Sequence, residues 1–392
     1  MNATNLFRQA FKAVLLIILV FFLLVPGSNP FDQIIDARAS AGIAQELAAA
    51  VDAIYLPMIL KPSMSPIQCG IPVDEQFTAG EIDTFYFDAL AGDYVSITAD
   101  RRIIGAYKLT LLSSTGVELG SDNSIVDEPE LINQLIPLSG TYMIQLDGQK
   151  TAAGPYTLAL YCAPAKMAAS PTNLVYGSAQ NNSLPTAGSQ KFFRFTGEQG
   201  DTVTIAGDRR PNGVWKLRLF DSRGFQLAVD DSQSGAPEIL NQQLPSTGIY
   251  LVVADGVASA TGDFTLSLYG PPLKLGAGVT AFDIIYDVKY PGSLTYIGQE
   301  RLYTFFGHSG DRVRILGTSL QPDGVYQLRL INPFGVQIAY QNTQIFPISL
   351  QVNLIDSGVY MIVIDGMEYY DPGSGSVVDA SGTYDLTVDQ ID

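Results

Sequence analysis

Short runs in which apolar and polar residues alternate recur along most of the chain. The clearest are YKLTL at 107–111, WKLRL at 215–219 and YQLRL at 326–330. Alternate residues of a strand point to opposite faces of its sheet. Each run therefore predicts a strand with one apolar, buried face and one polar face. Trp215 shares a face with Leu217 and Leu219, so we expect it in the core and not on the surface.

The same arrangement of runs and turns occurs three times, in 80–161, 188–269 and 298–388. Three dipeptide or tripeptide signatures recur in register, each spaced 108 and 110 residues apart: Gly-Asp at 92, 200 and 310, Gly-x-Tyr at 140, 248 and 358, and Asp-Gly at 147, 255 and 365. Such self-similarity indicates a repeated structural unit. We interpret the Asp-Gly pairs as turns, since both residues suit turn conformations.

Each repeat predicts seven or eight short strands with turns between them, which is typical of a two-sheet sandwich. The predicted fold is all-β: three tandem jelly-roll-like β-sandwich modules after an N-terminal export segment. The predicted domains are an export segment at 1–39, a linker at 40–68, and modules at 69–163, 164–271 and 272–392. The linkers between modules are short and Pro-rich, so we expect semi-rigid spacing.

An apolar run from Ala13 to Val25 follows Arg8 and Lys12 near the start of the chain. At 1.5 Å per residue this run covers only about 20 Å, less than the roughly 30 Å hydrocarbon core of a bilayer. It predicts a signal peptide. An uncleaved N-terminal membrane anchor stays open as the alternative, because the small-residue site at 37–39 is far from the run.

The formal net charge of −17 argues against a nucleic-acid partner, because phosphate binding needs clustered Lys and Arg. Charged residues are only 16% of the chain and apolar residues 47%, so a large core is expected. Contact with a membrane is expected only through the N-terminal segment if it is not cleaved.

The two cysteines, Cys69 and Cys162, lie before the first strand and after the last strand of the first repeat. A disulfide between them would join the two ends of that module. Disulfides persist in oxidising compartments. The pair therefore supports an exported protein, either secreted or held at the cell surface.

The pattern of core and turn residues resembles the bacterial pre-peptidase C-terminal domain family. In the first repeat the resemblance is carried by the following residues: Asp83, Phe85, Phe87, Gly92, Asp93, Val95, Ile97, Leu109, Leu111, Gly116, Gly140, Tyr142, Tyr156 and Leu158. The resemblance implies jelly-roll-like sandwiches that serve exported enzymes as accessory or substrate-binding modules. Some relatives bind calcium, collagen or polysaccharide. Here no protease domain precedes the modules.

Catalytic chemistry has few candidate residues in this chain. The single histidine, His308, precedes a Gly-Asp turn and has no counterpart in the other repeats. A catalytic triad or a zinc site would depend on this one imidazole. We therefore predict a protein that is not an enzyme and has no cofactor, apart from the calcium considered next.

Three sets of residues are candidates for ligand contacts. Paired guanidinium groups bind carboxylates or sulfated sugars, and Ca²⁺ takes several oxygen ligands. A loop peculiar to the third repeat, 367–382, carries two adjacent tyrosines. The candidates for ligand contact are Arg101, Arg102, Arg209, Arg210, Tyr369 and Tyr370, and those for a Ca²⁺ site are Asp122, Asp230 and Asp231. Loop ion pairs and solvated acidic loops are the simpler interpretations.

Two functions remain open from the sequence. In the first, the modules are structural spacers and adhesion elements that contact envelope proteins. In the second, they form an array that binds carbohydrate or matrix, with or without calcium, in which tethered weak sites gain avidity. The scaffold is repeated and the candidate contact residues are not, which favours the first.

Overall fold

The structure is a computed structural model. It describes residues 64–391 apart from 79, 102–104, 106, 124–127, 150–151, 209–210, 232–235, 258–259, 297, 320–324, 344–346, 368, 372 and 379. The export segment and most of the linker predicted at 40–68 lie outside the described residues. Within the described part, no helix is long and apolar enough to span a membrane.

The described chain is built from strands with two short 3₁₀ turns, Pro164–Lys166 and Pro272–Lys274. The first module contains β1 (Ser65–Pro66), β2 (Val73–Phe77), β3 (Ile82–Ala89), β4 (Tyr94–Arg101), β5 (Lys108–Leu112), β6 (Glu118–Asp122), β7 (Glu130–Leu135), β8 (Gly140–Asp147) and β9 (Gly154–Tyr161). The second contains β10 (Thr172–Asn173), β11 (Ser178–Leu184), β12 (Gln190–Gly197), β13 (Thr202–Gly207), β14 (Lys216–Phe220), β15 (Gln226–Asp230), β16 (Glu238–Gln243), β17 (Gly248–Asp255) and β18 (Gly262–Tyr269). The third contains β19 (Ala281–Asp283), β20 (Tyr290–Leu294), β21 (Glu300–Gly307), β22 (Arg312–Ser319), β23 (Val325–Ile331), β24 (Gln337–Thr343), β25 (Ile348–Asn353), β26 (Gly358–Met367), β27 (Tyr369–Asp371), β28 (Ser376–Val378) and β29 (Gly382–Gln390).

Each module is a sandwich of a five-stranded and a four-stranded sheet. In module 1 the orders are β1-β3-β8-β5-β6 and β2-β9-β4-β7, and modules 2 and 3 repeat both orders. Apart from the short parallel strand at the edge, neighbouring strands are antiparallel. This alternation of strands between two sheets is the jelly-roll arrangement. The predicted all-β fold of three tandem jelly-roll sandwiches is confirmed. The domain boundaries stay predictions; in the structure β9 ends at Tyr161 and β10 begins at Thr172.

The repeated sequence signatures have a common structural cause. The Gly-Asp glycines have φ values of 89°, 91° and 95°, a left-handed conformation that glycine adopts without strain. The carboxylate of the following aspartate accepts a hydrogen bond from the backbone N–H three residues earlier. For Asp93 the donor is Leu90, at 2.8 Å. The Gly-x-Tyr tyrosines donate to the carbonyl four residues before them, as Tyr360 does to Asp356 at 2.8 Å. These bonds close the turns at one end of each sandwich.

Each sandwich encloses its own hydrophobic core between the two sheets. Trp215 is 3% exposed in the core of module 2, where its ring lies against Phe264 with centroids 5.0 Å apart. Its indole N–H donates to the Asp208 carbonyl at 3.2 Å. The prediction that Trp215 is a core residue is confirmed.

Cys69 and Cys162 form a disulfide with their Cα atoms 5.7 Å apart. The predicted bridge is confirmed. It joins the segment before β2 to the end of β9, and the backbone N–H of Gly70 also donates to the Leu160 carbonyl at 2.8 Å. The bridge therefore fixes the first module at the point where the chain leaves for the second.

Candidate functional site: two joints between the modules

The modules contact one another through the outer faces of their sheets. The four-stranded sheet of one module packs on the five-stranded sheet of the next, which produces a stack of six sheets. Two apolar clusters lie between modules. Joint 1, between modules 1 and 2, contains Ala159, Tyr161, Phe220, Leu251 and Val253. Joint 2, between modules 2 and 3, contains Ala206, Tyr269, Leu302, Ile331, Met361 and Val363.

A buried arginine crosses joint 1. Arg218 on β14 has no exposed surface, and its guanidinium donates to both carboxylate oxygens of Glu130 on β7, at 2.5 and 3.3 Å. Its Nε lies 3.5 Å from the carboxylate of Asp255, and its Cζ lies 5.9 Å from the centre of the Tyr161 ring. A forked arginine–carboxylate pair is both strong and directional. It therefore fixes the register of one sheet on the other.

The neighbours of this pair keep it charged. Burial alone would raise the pKa of Glu130, but Arg218 and Lys216 hold that pKa below its usual value. The Lys216 ammonium lies 2.9 Å from Glu128 and 3.4 Å from Glu130. Burial raises the pKa of the Tyr161 phenol. Its oxygen accepts a hydrogen bond from the Gln190 amide at 2.7 Å.

Joint 2 repeats the arrangement with its own residues. Arg329 is 5% exposed and donates to the Glu238 carboxylate across the joint. Its Cζ lies 5.7 Å from the centre of the Tyr269 ring, as Arg218 lies beside Tyr161 in joint 1. The same three groups, an arginine, a glutamate and a tyrosine, therefore meet in both joints.

One position differs between the joints in its chemistry. Glu300 in joint 2 occupies the position of Gln190 in joint 1, since each residue pairs with the equivalent aspartate of the neighbouring strand. Oε1 of Glu300 accepts hydrogen bonds from the hydroxyls of Tyr269, at 2.6 Å, and Ser267. Oε2 is buried without a hydrogen-bond partner among the described residues. Burial raises the pKa of the Glu300 carboxyl, partly offset by these hydroxyls and by Arg329.

An asparagine in a left-handed conformation ties each joint to the backbone of the next module. Asn133 has φ 55° beside a β-bulge, and Asn241 has φ 53° in the equivalent place. The Asn133 amide donates to the Gln226 carbonyl at 3.1 Å and accepts from the Gln226 N–H at 2.6 Å. Asn241 and Gln337 make the same two bonds. Bulges commonly redirect a side chain in this manner.

Two glycines allow a turn of one module to approach the backbone of the module before it. Gly224 has φ 88°, and a Cβ on it would lie 2.6 Å from the Ala163 amide nitrogen and 2.8 Å from the Tyr94 carbonyl oxygen. Gly335 lies in the same way against module 2, where a Cβ would meet the Thr202 carbonyl oxygen at 2.3 Å. The equivalent Gly116 of module 1 would meet nothing within 4 Å.

The joint residues are absent from the two ends of the stack. Matched by strand pairing, Arg218 corresponds to Thr110 on the outer sheet of module 1. At the other end, Glu130 corresponds to Ser349 and Tyr161 to Asp389 in module 3. Asp389 pairs with Arg314 at 2.6 Å within its own sheet. Terminal repeats of stacked proteins commonly carry such changed outer faces.

The predicted ligand-contact residues lie away from the joints or outside the description. Arg102, Arg209 and Arg210 lie outside the described residues, as does the side chain of Arg101 at the end of β4. The backbones of Tyr369 and Tyr370 form β27, which pairs with β28 as a small hairpin. Their side chains lie outside the description. A role for these residues in ligand contact stays a prediction.

The carboxylates of the predicted calcium ligands Asp122 and Asp230 accept hydrogen bonds from backbone N–H groups. The Asp122 carboxylate accepts the N–H of Glu130 at 2.8 Å, and the Asp230 carboxylate accepts that of Glu238 at 2.5 Å. Asp231 is exposed. Within the described ranges, no group of three His, Cys, Asp or Glu side chains is placed to hold a metal ion. The structure gives Asp122 and Asp230 a common role, which is to position the glutamate that enters each joint.

The interpretation of the Asp-Gly pairs as turns is wrong at all three aspartates and at Gly366, because Asp365 and Gly366 lie within β26. Asp147 and Asp255 are the last residues of β8 and β17. Asp255 is 4% exposed and lies beside Arg218 in joint 1. In module 2, a guanidinium of the same sheet compensates the burial of this carboxylate.

Comparison with known proteins gives only remote likenesses. No protein-family model matches the chain, so the resemblance to pre-peptidase C-terminal domains stays a prediction. No curated protein matches it.

Among solved structures, the M60 catalytic domain with two CBM51 domains from Clostridium perfringens ZmpB is 8% identical, with a TM-score of 0.17, over 79% of this chain and 34% of that one. The chain thus spans about a third of that structure's length. A turret protein of Sulfolobus turreted icosahedral virus is 10% identical, with a TM-score of 0.14, over 50% of this chain and 97% of that one. The BSP domain of a biofilm associated protein is 10% identical, with a TM-score of 0.17, over 83% of both chains. Likenesses at these TM-scores carry no functional argument.

Proposed function

We propose that this protein is an exported, non-catalytic spacer of the cell surface or extracellular space. In this function three sandwich modules are locked into one rigid stack. The observation that supports it most directly is the repetition of the joint. An arginine–glutamate pair beside a tyrosine lies at both boundaries between modules.

Rigidity follows from the way the joints are made. Flexibly tethered domains share mostly polar contacts and move relative to one another. Here Leu251 and Val253 have no exposed surface, and the forked pair of Arg218 fixes direction as well as distance. Bending at the joint would separate a buried charge from its partner, which is costly.

The extracellular location is supported by the disulfide between Cys69 and Cys162. Thiol labelling without reduction, on protein recovered from the native host, tests this part of the proposal. We expect no labelled cysteine. Labelling of both would place the protein in a reducing compartment and contradict the proposed location.

A distance measurement between the end modules tests the rigid stack. Leu138 and Ile355 are 72% and 73% exposed in modules 1 and 3. Spin labels on Leu138→Cys and Ile355→Cys, in the full chain with its native disulfide, should give one narrow distance distribution by double electron–electron resonance. A broad distribution would contradict the proposed function.

Matched variants make the test specific for joint 1. Val253→Asp places a carboxylate in the apolar cluster of this joint and should broaden the distribution. Gln145→Asp changes the equivalent position of module 1, which lies outside both joints, and should leave it narrow. Equal broadening in both variants would show that the joint is not the source of rigidity.

A further inference from the structure

A groove of about 330 Å³ opens in module 3 between β19 and β20, which are edge strands of the two sheets. Phe282, Gly292, Arg301 and Tyr303 lie in its lining. The Phe282 side chain is 48% exposed, and its ring rests on that of Tyr303 with the centroids 5.7 Å apart. Ligand sites commonly have this size and combine an apolar wall with a few polar groups.

Gly292 leaves room for the hydroxyls of Tyr303 and Tyr384. A Cβ on Gly292 would lie 2.5 Å from the Tyr303 hydroxyl and 2.4 Å from the Tyr384 ring. The two hydroxyls lie 2.9 Å apart and occupy the space that a side chain at 292 would fill. Position 292 corresponds to Asn182 in module 2, because Gly292 pairs with Tyr384 and Asn182 pairs with the equivalent Phe264.

Arg301 supplies the cationic group of the groove. Nε of Arg301 donates to the Ser293 carbonyl at 3.1 Å, which fixes the side chain. Its two terminal NH₂ groups make no hydrogen bond or ion pair with any described residue. The guanidinium carbon lies 6.0 Å from the centre of the Phe282 ring. A cationic fork beside a half-exposed aromatic ring suits a ligand with an apolar face and a carboxylate.

These features belong to the third module alone. The other modules have neither the aromatic ring nor the guanidinium at the equivalent positions. Matched by strand pairing, Phe282 corresponds to Thr172 and Ser65, and Arg301 to Lys191 and Asp83. Core packing does not require these residues, because the other modules form the same core without them.

We propose that this groove binds a hexuronate residue of an acidic polysaccharide. The apolar face of the sugar ring would stack on Phe282, and Arg301 would bind its carboxylate through two N–H groups. The Tyr303 hydroxyl, which belongs to the groove lining, can exchange a hydrogen bond with a sugar hydroxyl. The assignment is independent of the spacer function, since it needs module 3 only and not the joints.

Calorimetric titration of the full chain with trigalacturonate tests the site. The measurement belongs at about 0.15 M salt, where the net charge of −17 is screened beyond roughly 8 Å. We expect saturable binding, with the neutral galactose trisaccharide bound at least tenfold more weakly. Phe282→Ala and Arg301→Gln should each weaken trigalacturonate binding by about tenfold or more. Lys191→Gln, at the equivalent position of module 2, should leave it unchanged.

Each other outcome contradicts the site. Failure of the unmodified protein to bind trigalacturonate at millimolar concentration would overturn the proposal, as would equal binding of the neutral sugar. Retention of full affinity in Arg301→Gln would do the same. Thermal unfolding of the variants separates loss of binding from loss of folding. Narrow distances between the end modules would leave the spacer function standing in any of these cases.

Discussion

Arg218 carries a full charge in a place without water contact, so its neighbours decide whether it stabilises the protein. It is compensated by Glu130 at 2.5 Å and Asp255 at 3.5 Å. Removing one member of a buried ion pair leaves the others uncompensated and typically costs about 3–5 kcal/mol. Arg218→Ala should therefore lower the free energy of the unfolding transition that includes module 2 by about that amount.

The measurement is urea denaturation followed by the fluorescence of Trp215, the single tryptophan, in the core of module 2. Arg194→Ala is the control. The Arg194 side chain is exposed on module 2 and donates to the exposed Asn173 at 2.7 Å, so its loss should cost about 0.5 kcal/mol or less. Equal losses in the two variants would contradict a structural role for the buried pair.

Glu300 makes joint 2 sensitive to pH. Burial raises the pKa of its carboxyl in the folded protein. A raised carboxyl pKa means that the folded state holds the proton more tightly than the unfolded state. The joint is then most stable below the unfolded pKa, and stability falls as the pH rises through the folded pKa.

Glu300→Gln should remove this pH dependence. The variant should gain stability over the unmodified protein at neutral pH and match it at pH values below the unfolded pKa. Gln190→Glu offers the reciprocal change in joint 1, where it should introduce the same loss on raising the pH. Thermal unfolding across pH 4–8 checks both. An unchanged difference between variant and parent at every pH would show that Glu300 does not titrate differently on folding.

At the scale of elements, the turn before β15 matters because it touches the preceding module. Gly224→Ala places a methyl group 2.6 Å from a backbone nitrogen of module 1, in addition to the strain of φ 88°. Gly116→Ala meets the same conformational strain at φ 79° with open space around it. The first change should cost about 1–3 kcal/mol more than the second, since overpacking adds to the strain.

The free energy of unfolding of each variant, relative to the unmodified protein, provides the check. The distance between spin labels at positions 138 and 355 gives a second readout. Only Gly224→Ala should change it, because only this variant should alter the placement of module 2 on module 1. Similar distances in the two variants would mean that this turn does not set the geometry of the joint.

The strands and turns could be predicted from alternation and glycine positions, but the joints could not. Leu251-Val252-Val253-Ala254 on β17 is an unbroken apolar run, and its strand is buried on both faces, whereas β8 keeps Gln145 in the same place and alternates. That run indicates a second buried face, since strands covered on both sides lose their alternation of apolar and polar residues. The alternation of β14 predicts the opposite for Arg218, because a charged residue at a polar position of a strand is expected to face solvent. The partner, Glu130, is 88 residues away, and nothing in the local pattern connects the two.

At the scale of the whole molecule, the stack has two different ends. The outer face of module 3 carries Ser349 and Asp389 where the joint-forming faces carry glutamate and tyrosine. The outer face of module 1 has Thr110 in place of the buried arginine. A fourth module of the same type would find neither the arginine nor its acceptor at these faces. The repeated sequence is therefore specific for its two internal boundaries, and the changes at the ends disfavour further stacking of the same kind.

Stacked modules that share buried joints should not unfold independently. In repeat proteins the stability is approximately a sum of module terms and nearest-neighbour interface terms, so a strong interface couples the unfolding of its two modules. Module 2 contributes to both joints, and its unfolding exposes the Glu130 and Arg329 partners on either side. We expect scanning calorimetry of the intact chain to show fewer transitions than modules, with the Trp215 signal changing in the shared transition.

Breaking joint 1 should separate module 1 from that shared transition. In Val253→Asp, the disulfide between Cys69 and Cys162 still limits the entropy of unfolded module 1, since it closes a separation of 93 residues. Module 1 should then unfold in its own transition, while modules 2 and 3 remain coupled through Arg329 and Glu238. Gln145→Asp should keep the pattern of the unmodified protein. Three independent transitions in the unmodified chain, unaffected by Val253→Asp, would mean that the joints position the modules without coupling them, because a contact that stabilises both partners must link their unfolding equilibria.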